Sequence, residues 1–372
     1  MRCRHSLLAH ILLACSLRAG DEPKPNSLTP KEIAEGWILL FDGETTLGWH
    51  VEGEAKVDKG ELVVGGAEAA TVTSTTLLPW NRAHAVSMET RWDGKESPNF
   101  WFPFGGMVGL IEEAKTKFIR QYFSTDDALP GSGLKPQVYK VPGGSKLFLK
   151  DIKYQPRMLE SLFNGKDLAG WKEHPGKKSK FNVTREGWLQ LKDGPGDLQT
   201  EALYDDFILQ LECKTNGKLL NSGVFFRCRP GEYQQGYEAQ IHNGFDADKP
   251  KEYVVEEYDP KTNELKAKNK VKSPAVDYGT GGIYRRVPAR KQAAKDGEWF
   301  TMAVIAHGRH IATWVNGNQM VDWTDNRPLK DNARNGCRLE KGAISLQGHD
   351  ATTDLYFRNI RIAELPNPAE KK

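Results

Sequence analysis

The most regular alternation of hydrophobic and polar positions in this chain runs from Asn221 to His242, NSGVFFRCRPGEYQQGYEAQIH. In its first half Val224, Phe226 and Cys228 take one side, and Phe225, Arg227 and Arg229 take the other. After the break at Arg229-Pro230-Gly231, Tyr237, Ala239 and Ile241 alternate with Glu238, Gln240 and His242. A period of two marks a strand, because successive side chains point to opposite faces. The stretch therefore predicts two strands, each with a core face and a polar face. That polar face carries a carboxylate, an amide and an imidazole beside arginines, where a merely solvated strand more often presents Lys, Thr or Ser. It is a candidate ligand surface; the alternative is the ordinary wet face of an antiparallel sheet. A second row of the same kind occurs in GAISLQGHD, where Ile344 and Leu346 alternate with Ser345, Gln347 and His349.

Further alternating segments fall at 207–213, 300–306 and 311–316, and Asn316-Gly317 supplies the two-residue turn that right-twisted hairpins prefer. Short sequential strands without helical crossovers predict an all-β protein, an antiparallel β-sandwich of jelly-roll type with one sheet face open to ligand. The punctuation also repeats. FDGETTLGW at 41–49 matches FNGKDLAGW at 163–171, VDKGELVV at 57–64 matches VTREGWLQL at 183–191, and FLKDIKY at 148–154 matches FRNIRIAEL at 357–365. Two tandem related copies are expected: a shorter, degenerate β-sandwich over 37–157 and a full one over 158–366, preceded by a polar lead-in at 21–36 with one helical turn after Pro30. Residues 367–372 form a tail. The first copy has no counterpart of NSGVFFR or of YEAQI, so residues 163–365 are expected to fold as a unit and hold all the activity, with 37–155 acting as a packing partner or spacer. The charged segment 244–282 is read as a surface excursion near the site, and the basic run from Tyr284-Arg285-Arg286 to Lys295 as a solvated loop rather than a polyanion contact.

Composition changes this picture little. A net charge of only +3 over 372 residues leaves no field of the kind that marks a nucleic-acid binder. At the start, Arg2 and Arg4 precede an apolar run from Leu7 to Leu17, too short to span a bilayer and of the length of a signal-peptide core. Residues 1–20 are therefore expected to be a signal peptide. Cleavage after Ala19 or Gly20 would give a periplasmic or secreted protein; lipidation at Cys15, in Leu12-Leu13-Ala14-Cys15, would anchor it to the envelope. A lipid anchor is the only membrane contact expected. Cys213, Cys228 and Cys337 show no metal-ligand spacing, and Cys213 and Cys228 read as small buried hydrophobes on neighbouring strands.

The motifs NSGVFFR, GYEAQIH, GGIY, the EW and VNG of the following hairpin, and GAISLQGHD followed by YFRNIRI resemble the successive motifs of the 3-keto-disaccharide hydrolase family. The resemblance covers about 160–365 in full, and 37–155 only through its edge motifs. It implies a concanavalin-like jelly roll acting on glycosides whose sugar has been oxidised at C3. A ketone at C3 acidifies the C2 proton and places the C1 substituent β to the carbonyl. A base can then remove that proton and expel the aglycone, and water can add back; a conventional glycosidase would instead need two carboxylates at a set separation. Glu238 or His349 would be the base, with Arg227 or a bound cation stabilising the enolate. Arg227, Gln240, His242, Gln347, Asn221 and Tyr284 are the candidate substrate-binding residues, and Tyr237, Trp299 and Trp314 are further aromatics able to stack on a sugar. His242 and His349 with Glu238 are also the candidate set for a divalent cation. The rival reading is a lectin-like carbohydrate-binding module of the cell envelope without turnover.

Overall fold

In the computed structural model every alternating segment named above is a strand. The structure describes residues 24–366 apart from 81, 103–105, 110–111, 127–132 and 158; the expected signal peptide and the 367–372 tail lie outside the described residues. The lead-in contributes one short helix, Pro30–Ala34. Thr29 caps it and Glu32 returns the bond to the Thr29 N–H, with Pro30 at the first helical position where its missing N–H costs nothing. The rest is almost wholly antiparallel sheet.

Residues 160–364 form two facing sheets. The back sheet runs in the order Lys180–Val183, Leu189–Lys192, Asp354–Glu364, Phe207–Thr215, Phe300–His307, His310–Val315, Asn318–Thr324. The front sheet runs Trp171–Glu173, Gly196–Thr200, Ala343–Gly348, Ser222–Cys228, Tyr237–Ile241. Leu209, Val304 and Phe357 from the back meet Val224, Ala239 and Leu346 from the front, all fully buried in one core. That core is the inward face that the period-two pattern predicts.

Residues 38–156 build a second pair of sheets with the matching strand order. The back sheet is Ile119–Thr125, His84–Gly94, Ser145–Pro156, Glu61–Val64, Ala55–Asp58, and the front is Trp49–Glu52, Ala70–Ser74, Val138–Val141, Asn99–Phe102, Gly106–Gly109. Local detail matches as well. Trp49 Nε1 donates to the Leu40 carbonyl and Trp171 Nε1 to the Leu162 carbonyl, each at 2.7 Å. Asp42 and Asn164 each close the following turn by accepting backbone N–H bonds at 2.8–3.0 Å. The strands Asn99–Phe102 and Gly106–Gly109 stand where the sequence comparison found no counterpart of NSGVFFR and YEAQI. They correspond in position only, since GMVG brings no ionisable side chain.

The two sandwiches share an apolar boundary. Ile208, Ala303, Ile305, Ala312 and Trp314 point outward from the back sheet of the second sandwich and are buried in the core of the first, with Ile38, Leu40 and Ile152. Trp314 Nε1 donates to the Leu39 carbonyl at 2.9 Å, and Gln210 Nε2 to the Gly36 carbonyl at 2.8 Å. Of the aromatics offered for sugar stacking, Trp314 is thus spent at this boundary. Tyr237 is buried with its hydroxyl on Asp325 at 2.7 Å, and Trp299 lies against Trp188 with the Arg358 guanidinium 4.0 Å over its ring.

The excursion after Asn243 is ordered as a two-stranded ribbon, Lys251–Tyr258 with Leu265–Ser273, leading into a short turn at Val276–Tyr278. The chain then covers the free edge of Tyr237–Ile241: Gln240 N–H donates to the Gly282 carbonyl at 2.9 Å and Tyr284 N–H to the Glu238 carbonyl at 3.0 Å. A sheet edge that would otherwise expose its backbone is thereby capped.

Candidate active site

The registers align one face of the front sheet. Gln199 faces Ser345, Ser345 faces Phe225 and Phe225 faces Glu238; one pleat away Asp197 faces Gln347, and Gly223 faces Gln240. Above this face opens a cavity of about 570 Å³, within the size range of small-molecule sites. Six sequence-predicted residues line it together: Asn221, Glu238, Gln240, Tyr284, Gln347 and His349. The wall also includes Tyr233, Gln235, Asn332 and Arg334, which the sequence pattern did not single out.

Glu238 is the central group. Its side chain is 4% exposed, and Arg334 Nη2 donates to Oε2 at 3.0 Å. Burial pushes its pKa up to about 7 despite the pull of Arg334, with Asp277 adding to the rise and His349 opposing it. Near neutral pH this carboxyl therefore exchanges a proton readily, as a general base requires. Arg334 is itself held over the rings of Phe225 and Tyr284, at 5.0 and 5.5 Å, and its Nε donates to the Gln234 carbonyl at 3.2 Å. His349 donates from Nδ1 to Asp350 Oδ2 at 2.8 Å. Hydrogen bonds from Thr352 and His349 hold the Asp350 carboxyl down at about 2, so it is ionised and fixes Nδ1 as the donor; Nε2 is then the nitrogen of His349 free to take a proton.

The amides are fixed by one carboxylate from the covering segment. Asp277 Oδ2 accepts from Asn221 Nδ2 at 2.5 Å and from Gln240 Nε2 at 3.3 Å, while its carbonyl accepts from Gln240 Nε2 at 2.8 Å. Asp277 holds a left-handed backbone at φ 50°, as do Tyr278 at 69° and Arg285 at 61°. Three non-glycine residues in that region beside one cavity locate backbone strain at the site. Asn332, hydrogen-bonded to Gln235, ties the loop carrying Arg334 to the loop before Glu238.

Two sequence-predicted residues fall elsewhere. Arg227 is fully buried away from the cavity. Its guanidinium donates to Asp206 Oδ1 at 2.8 Å and to the carbonyls of Asp205, Gly308 and Arg338 at 2.7, 2.8 and 3.0 Å. The cause is a bulge: the register slips between Phe225 and Cys228, and Arg227 takes φ 50°. An extra residue in a strand reverses which face the following side chains take. Cys228 accordingly leaves the Val224 side and clusters with Phe225 and Ala343. Arg334 occupies the place beside Glu238 expected for Arg227. His242 packs against Gly244, whose N–H donates to Nδ1 at 3.2 Å, and lines no part of the cavity. The trio Glu238, His242 and His349 is therefore not assembled, and among the described residues no group of three or more His, Cys, Asp or Glu is placed to hold a metal ion. Cys213, Cys228 and Cys337 are buried free thiols.

Gly223 is required by this geometry. A Cβ there would lie 2.6 Å from Glu238 Oε1 and 2.7 Å from its Cγ. Gly223→Ala is expected to displace the carboxylate and lower kcat/KM by about 10²-fold, the scale of an ångström-sized misplacement, with the fold retained by circular dichroism. A variant with unchanged kcat/KM would remove Glu238 from the chemistry.

A β-sandwich with a buried, proton-exchanging carboxyl among amides, an imidazole and a guanidinium has the makings of a carbohydrate-active protein. Residues 159–363 match the 3-keto-alpha-glucoside-1,2-lyase-like domain, and the chain belongs to that family. It is similar to a 3-keto-disaccharide hydrolase of Bacteroides thetaiotaomicron, at 27% identity over 236 residues, 55% of this chain and 78% of that protein. Among solved structures it is similar to a Parabacteroides distasonis protein assigned as a glycosyl hydrolase, at 22% identity and TM-score 0.41 over 55% of this chain and 93% of that one. It is also similar to the carbohydrate-binding module CBM66 of Bacillus subtilis, at 15% identity and TM-score 0.33 over 52% and 96%.

Proposed function

We propose that this protein cleaves glycosides whose sugar carries a ketone at C3, and that it does so by elimination. The Glu238 carboxylate takes the C2 proton, and the electrons of that C–H bond flow into an enolate whose charge rests on the C3 oxygen. Arg334, 3.0 Å from Glu238, is the cation on hand for that charge. The enolate re-forms the ketone as C1=C2 forms and the C1–O bond breaks, its electron pair leaving with the aglycone oxygen. That oxygen takes its proton from water, or from His349 when it carries one on Nε2. Addition of water to the enone would make the net reaction a hydrolysis. The observation that carries this reading is the Glu238 carboxyl, pushed up to about 7 by burial inside a cavity that it shares with Arg334 and His349.

The amide-rich wall of Asn221, Gln240, Gln347 and Asn332 also suits a binding module. Incubation with a 3-keto-glucoside separates the two: the enzyme reading expects release of aglycone and the ultraviolet absorbance of an enone, and no release from the unoxidised glucoside. Binding without turnover, with or without added divalent metal, would establish the lectin-like reading. We also propose export. Mass spectrometry of the native protein is expected to find a chain beginning after residue 14, with a diacylglycerol-modified Cys15, or after about residue 20; an intact Met1 in a soluble cytoplasmic fraction would refute it.

A further inference from the structure

A second cavity of about 370 Å³ opens on the other side of the covering segment, and Arg285 lines both. The partition is three consecutive residues. Tyr284 faces the Glu238 cavity, Arg286 faces the second, and Arg285 stands at the boundary with its guanidinium 5.4 Å over the Tyr284 ring. The far wall comes from the ribbon, through Val254, Val255 and Tyr258, and from the back sheet, through Trp323. Val254 is 47% exposed on an arm otherwise rich in Lys and Glu, so its apolar surface faces water in the free protein.

The charged groups around this second cavity are already engaged. Arg327 donates to both oxygens of Asp325 at 2.8 and 2.7 Å, and Arg286 donates to the Arg334 carbonyl at 2.7 Å. Glu256 accepts from the Tyr258 hydroxyl at 2.9 Å and pairs with Lys268 at 3.3 Å. Asn269 donates to Glu257 at 3.3 Å. A second sugar would find few free partners for its hydroxyls, and unpaired polar groups are costly to bury. A flat apolar ring would instead leave water to lie against Trp323, Tyr258 and Val254. Arg285 is the exception: among the described residues it has no acidic partner.

We propose that this second cavity receives the leaving half of the substrate, and that the leaving half is aromatic, a phenolic aglycone. The inference rests on the 3-keto-glycoside reading. With the sugar above Glu238 and the aglycone against Trp323, the C1–O bond lies beside Arg285, the residue common to both cavities. When that bond breaks, its electron pair goes to the phenolic oxygen, and the Arg285 guanidinium faces the charge that develops there. Aromatic leaving groups suit such a site because a phenolate needs no prior protonation to depart.

The test compares 4-nitrophenyl and methyl 3-keto-glucosides, as both anomers, together with a 3-keto-disaccharide. Trp323→Leu, which keeps an apolar side chain against the core, and Val254→Glu, on the exposed ribbon, are each expected to lower kcat/KM for the aryl substrate by roughly tenfold. Turnover of the methyl glucoside is expected to stay within about twofold. Equal losses on aryl and methyl substrates would overturn the proposal, as would a loss confined to the disaccharide, which would assign the cavity to a second sugar. Should Trp323→Leu fail to fold, Val254→Glu decides the matter. Should the wild-type protein turn over neither substrate, the chemical reading fails separately. Quenching of tryptophan fluorescence by 4-nitrophenyl glucoside, absent with the methyl glucoside and lost in Val254→Glu, would then still support an aryl subsite, and no quenching would sink it.

Discussion

Replacing Glu238 with glutamine is expected to reduce turnover of a 3-keto-glucoside by about 10²- to 10⁴-fold, the usual contribution of a positioned acid or base. Binding of the keto-sugar is expected to persist, because the amide keeps the side-chain volume and an oxygen for Arg334 Nη2, now at 3.0 Å from the carboxylate. In the wild type kcat/KM should climb with pH through about 7, where Glu238 loses its proton, and the glutamine variant should lack that limb. Stability moves the other way. The folded-state pKa of about 7 lies above the ordinary 4.5, so the folded chain holds this proton more tightly than the unfolded chain. Burying the carboxylate is then neutral to stability below about 4.5 and increasingly unfavourable up to about 7, reaching about 3 kcal/mol beyond it at 1.36 kcal/mol per pKa unit. Glu238→Gln should therefore melt no lower than wild type at pH 5 and higher at pH 8. A turnover loss of less than about tenfold would leave Glu238 a binding residue and move the base to His349.

The pattern of hydrophobic and polar positions gave away the front sheet because parity is conserved along an unbroken strand and across antiparallel pairs. Glu238 and Gln240 lie on one strand, Gln347 on another two places away, and their shared parity is enough to put them on one face. Arg227 was misplaced for the complementary reason. The bulge at Arg227 inserts a residue, and its positive φ has no mark in the letters VFFRCR. Arg334 was missed because it comes from an irregular loop, where only long-range contacts decide direction: its partner Glu238 is 96 residues away. His242 was overextended from the strand Tyr237–Ile241, since its position just past the strand end lets the chain turn it toward Gly244. One further signal was in plain view. FTMAVIAH and HIATWV are apolar on both faces, as strands covered on both sides are, and the back sheet is indeed buried on both.

Residues 159–366 produced alone are expected to lose solubility although every residue lining the Glu238 cavity lies between Asn221 and His349. Removing the first sandwich uncovers Ile208, Ile305, Trp314 and Leu365, now between 0 and 5% exposed, together with Ala303 and Ala312. Full burial of a large apolar side chain is worth about 1.5–3 kcal/mol, so the four large ones represent on the order of 6–12 kcal/mol. A typical domain is stable by only about 5–15 kcal/mol. The lost hydrogen bonds from Trp314 Nε1 and Gln210 Nε2 to the backbone of residues 36–39 add to the deficit. The uncovered face would be a contiguous apolar patch on sheet, the kind that drives self-association. Expression of 159–366 should thus give aggregate, and co-expression with residues 24–157 should restore soluble protein by covering the patch. Substituting Ile305 and Trp314 with Lys and Gln should recover solubility of the isolated second sandwich without restoring full thermal stability. Because the cavity faces away from this boundary, the recovered protein is expected to keep the aryl-over-methyl preference of the full chain. A soluble, monomeric 159–366 with the wild-type melting temperature would show that the first sandwich contributes nothing to the stability of the second.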